Sequence, residues 1–90
     1  MNKQELISKV AGKVGITKKQ AQNAIDAFIE IVTDSLSRGE KVTLVGFGTF
    51  KVAQRKARKG VNPQTKEVIQ IPAKKVPKFV SGKNLREKVG

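Results

Sequence analysis

The apolar residues between Thr17 and Gly39 spread over a wider arc than one small chain can bury. Thr17 and Gln20 form the pattern of a capping box and Gly39 is a typical helix stop, so the segment is predicted to be helical. At about 100° per residue, its apolar side chains cover roughly 200° of the helix. They are Ala21, Ala24, Ile25, Ala27, Phe28, Ile29, Ile31, Val32 and Leu36. Because a chain of 90 residues has a small core, we expect a sheet on one side of this helix and a second copy of the chain on the other. The open alternative is a wide face packed inside a monomer.

A shorter helix is predicted before it. Asn2 is a plausible N-cap with Glu5 three residues later, and Gly15 offers a left-handed stop. Apolar residues recur between them at helical spacing, at positions Leu6, Ile7, Val10, Ala11 and Val14. Residues 1–40 are therefore predicted to be a helical hairpin that forms the dimerisation part of a single domain, residues 1–90.

The positive charge of the chain is concentrated in its second half. The sequence holds 19 Lys and Arg against 7 Asp and Glu, a net charge of +12. Residues 1–40 are nearly neutral, whereas residues 51–78 hold nine bases and a single acid, Glu67. This charge predicts a polyanionic partner for the second half.

The composition argues against an enzyme. The chain has no Cys and no His, which removes thiol catalysis, zinc–thiolate sites and the usual general base. Asp26, Glu30 and Asp34 follow one another at four-residue intervals, but they fill the polar arc of the second helix and are interpreted as a solvated face. We expect no metal and no cofactor. No run approaches the roughly 18 apolar residues of a membrane span, so a cytoplasmic protein is expected.

The pattern of the second half predicts strands that continue beyond their core residues. Val42 and Leu44 alternate with polar residues, a turn at 46–48 follows, and Phe50 and Val52 lie on the next strand. Residues 41–52 and 76–80 are predicted to form an antiparallel sheet. Residues 53–75, which we call the arm, reverse near Pro63 and carry no core residue on their first strand, so they should leave the body as a two-stranded ribbon. Ser81 is predicted to cap a last helix over residues 81–90.

Two features of the arm bear on its partner. The bases of the chain are 15 Lys and 4 Arg, which favours contact with the phosphate backbone over base recognition. Pro63 is either a turn residue or an apolar wedge that enters between base pairs and kinks a duplex. The residues alone leave both roles open.

The motifs of the second half resemble the bacterial histone-like HU family, of which integration host factor is a related branch. They are Gly46-Phe47-Gly48-Thr49-Phe50, Arg55, Arg58-Lys59-Gly60, Asn62-Pro63-Gln64-Thr65, Ile71-Pro72-Ala73, and Gly82-Lys83 with Leu85. The resemblance covers essentially the whole chain. It implies an α+β fold: an intertwined dimer with an N-terminal helical hairpin, a three-stranded antiparallel sheet, a protruding β-arm and a short C-terminal helix.

The resemblance also implies residue roles. Pro63 would be the wedge, and the arm contacts to DNA would be Arg55, Arg58, Lys59, Asn62, Gln64, Lys66, Lys74 and Lys75. Lys3, Lys83 and Arg86 would contact the backbone on the flanks of the dimer. The dimer core would hold Ile25, Phe28, Ile29, Val32, Leu44, Phe47, Phe50 and Phe79. The chain departs from the family pattern at Ala53 and Val61, where arginine is common, and at Lys66, where glycine is usual.

The function predicted from these features is largely nonspecific binding and bending of double-stranded DNA, which would compact and stabilise the bacterial chromosome in the nucleoid. The partners are DNA and a second copy of the chain, with a paralogue as a possible heterodimer partner. Two alternatives are a sequence-specific protein like integration host factor and an RNA-binding protein.

Overall fold

Three helices and five strands follow one another along residues 1–90, all of which the computed structural model describes. They are α1 (Lys3–Val14), α2 (Lys18–Ser37), β1 (Val42–Leu44), β2 (Gly48–Arg55), β3 (Arg58–Val61), β4 (Val68–Ile71), β5 (Lys74–Ser81) and α3 (Lys83–Val89). The chain divides into two units, residues 1–34 and residues 35–90. This order of elements confirms the predicted α+β fold, with its two N-terminal helices, antiparallel sheet, β-arm and C-terminal helix. None of the three helices combines the length and the apolar character that a membrane span requires.

Both ends of α1 are set by local side chains and backbone. The Asn2 side-chain oxygen accepts a hydrogen bond from the Glu5 N–H at 2.9 Å, which satisfies one of the free donors of the first turn. At the other end, Gly15 takes a left-handed conformation with φ +81° and donates to the Ala11 carbonyl at 2.9 Å. The predicted cap and stop of α1 are confirmed.

A reciprocal pair of hydrogen bonds starts α2. The Gln20 N–H donates to Thr17 Oγ1 at 3.1 Å, and the Thr17 N–H donates to Gln20 Oε1 at 3.0 Å. The predicted capping box is confirmed. Ile7, Ala11 and Ala21 are buried together, and partly buried apolar residues pack around them at Val10, Ile16 and Ile25. This cluster is the core of the first unit.

The second unit is built on a three-stranded antiparallel sheet in the order β1-β2-β5. A tight turn joins β1 to β2, because the Phe47 N–H donates to the Leu44 carbonyl at 2.9 Å and Gly46 accepts a φ of +84°. Gly48 opens β2 under an aromatic ring: a Cβ there would lie 2.5 Å from Phe79 Cζ. The packing of Phe79 over the start of β2 therefore requires glycine at position 48.

A second sheet of two strands, β3 and β4, lies inside the loop between β2 and β5. It keeps the register of the first sheet, since Arg55 pairs with Lys74 and Arg58 then pairs with Ile71. The three-stranded sheet runs to Arg55 and Lys74, beyond the predicted limits at residues 52 and 76. Only residues 56–57 and 72–73 separate the two sheets.

The last helix begins later than predicted. Ser81 is the final residue of β5, Gly82 is the N-cap of α3, and no side chain bonds to this cap. The Gly82 N–H instead donates to the Phe47 carbonyl at 2.7 Å, which ties the start of α3 to the β1–β2 turn. The predicted Ser81 cap was wrong because this contact between distant segments fixes the end of β5.

Candidate nucleic-acid interface

Like charges face each other along the strands that lead into the arm. Lys51 lies directly opposite Lys78, and Arg55 lies directly opposite Lys74. Such pairs are destabilising, because the side chains of opposite residues lie on the same face and like charges repel each other. A polyanion bound over these strands would remove this repulsion.

The bases at the start of the arm surround one open depression. Arg55, Lys56, Arg58 and Lys74 line it, together with Ala57, Ile71 and Pro72. The depression lies at the break between the two sheets, and its lining combines basic with apolar residues. Three of the predicted arm contacts, Arg55, Arg58 and Lys74, are thus brought together.

The arm keeps its charges exposed. Ion pairs join Lys3 to Asp26, Lys83 to Glu87 and Arg38 to Glu40, and none of them involves a base of residues 51–78. Lys59 and Lys75, two further predicted contacts, are exposed on β3 and β5. The bases of the arm are therefore free to interact with phosphate groups.

Asn62 builds the loop at the end of the arm, residues 62–67, which we call the tip loop. Its N–H donates to the Glu67 carbonyl at 2.8 Å, and its own carbonyl accepts from the Lys66 N–H at 2.7 Å. Its side-chain oxygen accepts from the Gln64 N–H at 2.9 Å, an Asx-turn. Three groups of one residue thus fix the loop around Pro63, which is exposed.

Lys66 completes the loop in a conformation that favours glycine. Its φ is +58°, the only positive φ of a residue other than glycine in the chain. A lysine in this region carries backbone strain because its Cβ crowds the neighbouring carbonyl. The departure from the family pattern at this position therefore falls where glycine has a physical advantage.

The predicted flank contacts differ in their surroundings. Lys3 Nζ lies 2.6 Å from Asp26 Oδ1, with about half of each side chain exposed. On α3, Lys83 Nζ lies 3.9 Å from Glu87 Oε1, and Arg86 is exposed. The structure locates these residues, and their contacts with DNA stay predictions.

The predicted dimer core is only partly covered in one chain. Val32 is buried, and Ile25, Leu44 and Phe50 are half-buried. Exposed fractions of 40–49% are found for the others, which are Phe28, Ile29, Phe47 and Phe79. The Phe79 ring lies 4.9 Å from the Phe50 ring and 5.4 Å from the Phe47 ring, between centroids. These aromatic side chains of the sheet form one cluster, and its place in a dimer stays a prediction.

Lys51 and Lys78 were not among the predicted site residues. Both bases were evident, but their opposition depends on the register of β2 with β5. That register centres the hairpin between Gln64 and Thr65, whereas a hairpin centred on Pro63 would pair Lys51 with Lys75. No signal in the sequence fixes this centre, so the opposition of Lys51 and Lys78 could not be predicted from it.

A basic hairpin with exposed charges and a fixed proline tip, continuous with a small sheet, defines the class of architectural DNA-binding proteins with a β-arm. The family model of bacterial DNA-binding proteins matches residues 1–90. DNA-binding protein HU of Thermotoga maritima is 54% identical over 89 residues, which are 99% of each chain. DNA-binding protein HU of Clostridium pasteurianum is 56% identical over 89 residues, 99% of this chain and 98% of the relative.

Solved structures that are similar to this chain are also HU proteins. An Anabaena HU–DNA cocrystal structure matches with a TM-score of 0.93 and 52% identity, covering 100% of this chain and 98% of that one. HU from Thermotoga maritima matches with a TM-score of 0.74 and 40% identity over the whole of both chains. The chain therefore belongs to the HU family of bacterial DNA-binding proteins. This is a family of architectural proteins and not of enzymes, as predicted.

Proposed function

We propose that this protein binds double-stranded DNA with little sequence preference, as a homodimer, and bends it by inserting Pro63 between base pairs from the minor groove. This activity would compact and stabilise the bacterial chromosome in the nucleoid, within the cytoplasm. The observation that carries the proposal is the exposed basic arm, which ends at a proline held by Asn62. The DNA-binding names of the relatives support the same partner.

Charge accounts for the affinity. The bases of residues 51–78 form no ion pairs, and two pairs of them repel each other across the sheet. Phosphates neutralise such bases and release counterions, so affinity should fall linearly with salt on a log–log plot, with a slope of about 0.9 per phosphate contacted. The excess of Lys over Arg favours backbone contacts, which carry little sequence information.

The tip loop accounts for the bend. An undistorted minor groove is about 6 Å wide, which is narrow for a two-stranded ribbon. A proline ring pushed between base pairs unstacks them and opens the groove. Pro63 is suited to this because it is apolar, exposed and held by the hydrogen bonds of Asn62.

Exposed apolar surface supports the homodimer. Ile29 is 49% exposed and Phe47 is 46% exposed in a single chain, and both belong to the predicted dimer core. Covering such side chains stabilises association by about 25 cal/mol per Å² of apolar surface. A paralogue with the same surface could take the place of the second copy. Sedimentation showing a stable monomer at micromolar concentration would contradict the proposal.

The bend is tested by fluorescence energy transfer between the ends of a short duplex. Pro63→Ala should reduce the bend, and the preference for nicked DNA, more than it reduces affinity for straight duplex. Pro77→Ala is the matched control, because Pro77 is also exposed but lies on β5 outside the arm. Equal losses of bend and affinity in Pro63→Ala would mean that this residue serves only the turn.

The same binding assay tests the sequence preference. Affinities for unrelated duplexes should agree closely, since phosphate contacts dominate. A difference of several hundred-fold between sequences would contradict nonspecific binding and favour a protein like integration host factor. Equal affinity for duplex RNA and duplex DNA would contradict DNA as the preferred partner.

A further inference from the structure

The two faces of the arm carry different apolar surfaces. In the β3–β4 pair, Gly60 lies opposite Ile69, and Val61 lies opposite Val68. Side chains alternate along a strand, and opposite residues share a face. Ile69 and Ile71 therefore lie on the same face as Gly60, and the two valines lie on the other face.

Gly60 leaves space that the isoleucines occupy. A Cβ at this position would lie 3.2 Å from Ile71 Cδ1 and 3.5 Å from Ile69 Cγ1. The two isoleucine side chains thus pack over Gly60 instead of projecting away from the ribbon. Their exposed fractions are 37% for Ile71 and 46% for Ile69, against 63% for Val61 and 66% for Val68. We call Gly60, Ile69 and Ile71 the isoleucine face; it is flatter than the opposite face.

A flat apolar face on a basic ribbon fits one surface of a duplex. The walls of the minor groove are lined by the C–H groups of deoxyribose, with phosphates along their edges. Arg58 lies opposite Ile71 and shares its face, so one base stands beside the apolar strip, whereas Lys59 lies on the face of the two valines. The missing side chain at Gly60 also keeps the ribbon thin, which matters in a groove about 6 Å wide.

We propose that the isoleucine face packs against the deoxyribose walls of the minor groove and selects DNA over RNA. The inference rests on the proposed function, because it requires the arm to enter that groove. Ribose would present a 2′-hydroxyl at the same surface of the duplex. Against Ile69 and Ile71 this hydroxyl would lose its hydrogen bonds to water and gain no partner, which is unfavourable.

The test compares two double variants with wild type. Ile69→Thr with Ile71→Thr makes the isoleucine face polar, and Val61→Thr with Val68→Thr makes the same kind of change on the opposite face. Both keep β-branched residues, which suit strands, and leave the net charge unchanged. Affinity is measured for a DNA duplex and an RNA duplex of the same sequence over a range of salt concentrations.

The isoleucine variant should lose about tenfold in affinity for DNA, from the apolar contact removed. The valine variant should change by less than about threefold, because its side chains face away from the groove. The slope of affinity against salt should stay the same in both, since no phosphate contact is lost. The ratio of DNA affinity to RNA affinity should fall in the isoleucine variant alone.

Amide hydrogen exchange of β3 in the free proteins checks that the arm still pairs. If β3 no longer pairs with β4 in the variant with Ile69→Thr and Ile71→Thr, a milder variant replaces it. Ile69→Val with Ile71→Val removes one carbon from each side chain and should still reduce DNA affinity about threefold. Equal losses from the two threonine variants, or an unchanged DNA-to-RNA ratio, would overturn the inference. Loss of self-association without loss of DNA affinity would assign the face to a second copy of the chain and overturn it too.

The outcome also separates this inference from the proposed function. A wild-type protein that fails to bend duplex DNA would defeat the proposed function. A wild-type protein that bends DNA, with an isoleucine variant that binds and discriminates normally, would defeat only the role of the isoleucine face.

Discussion

Replacing Lys66 by glycine should stabilise the tip loop of the arm. Lys66 has φ +58°, and a side chain in the left-handed region costs about 1–2 kcal/mol. Glycine removes that cost but loses about 0.5–1 kcal/mol of additional backbone entropy on folding. The net stabilisation expected for Lys66→Gly is about 0.5–1 kcal/mol, which raises the equilibrium constant for closing the loop about two- to fivefold.

Amide hydrogen exchange in the free protein measures this change. The Asn62 N–H, which donates to the Glu67 carbonyl at 2.8 Å, should exchange about two- to fivefold more slowly in Lys66→Gly. Lys66→Ala is the control, since it removes the same charge but keeps the Cβ that causes the strain. Unchanged exchange in Lys66→Gly, or equal slowing in Lys66→Ala, would refute the assignment of strain to the Lys66 backbone.

The same substitution distinguishes the effect of loop order on DNA affinity from the effect of the Lys66 charge. Lys66→Gly removes one base, so the log–log slope of affinity against salt should fall by about 0.9 if Lys66 contacts a phosphate. The better-ordered loop lowers the entropy lost on binding, and this gain does not depend on salt. The glycine variant should therefore bind more weakly than wild type at low salt and approach it at high salt, whereas the alanine variant should stay weaker than the glycine variant throughout.

Other substitutions test the body and the charge of the arm. Gly48→Ala should lower the unfolding temperature by the equivalent of about 1–3 kcal/mol, because its Cβ would lie 2.6 Å from the Val80 carbonyl oxygen; Gly12→Ala, with nothing within 4 Å, should raise it. Thr17→Ala should cost about 1 kcal/mol in a denaturant titration through loss of the α2 cap, and no loss would contradict the capping box. Glu67→Gln removes the only acid between residues 41 and 86 and should raise DNA affinity about threefold at low salt, a gain that high salt should abolish.

The helices were predictable because the interactions that bound them are local. Asn2, Thr17 and Gln20 bond to backbone or side-chain groups three residues away, so the pattern of residue types was sufficient. The start of α3 was not predictable in this way. A backbone bond from Gly82 to Phe47 determines it, and that bond joins residues far apart in the sequence.

The composition of the candidate site was predictable, and its geometry was not. A count of bases along the chain located the basic segment and indicated a polyanionic partner. The opposition of Arg55 and Lys74, by contrast, follows from strand register, and the left-handed φ of Lys66 follows from the closure of a loop by Asn62. Neither is a property of residue type, so sequence pattern alone could not supply them.

The boundary between sheet and arm shows where side-chain patterning stops being a guide to backbone pairing. After Val52 the apolar alternation ends, which predicted that the strand leaves the sheet there. A ladder of backbone hydrogen bonds does not require apolar side chains, however, and β2 continues to pair with β5 as far as Arg55 and Lys74. The pairing stops only at residues 56–57 and 72–73, although the strands beyond resume in the same register. The unchanged register shows that no residue is inserted at this gap, and Pro72, which lies in it, has no N–H to donate to a ladder.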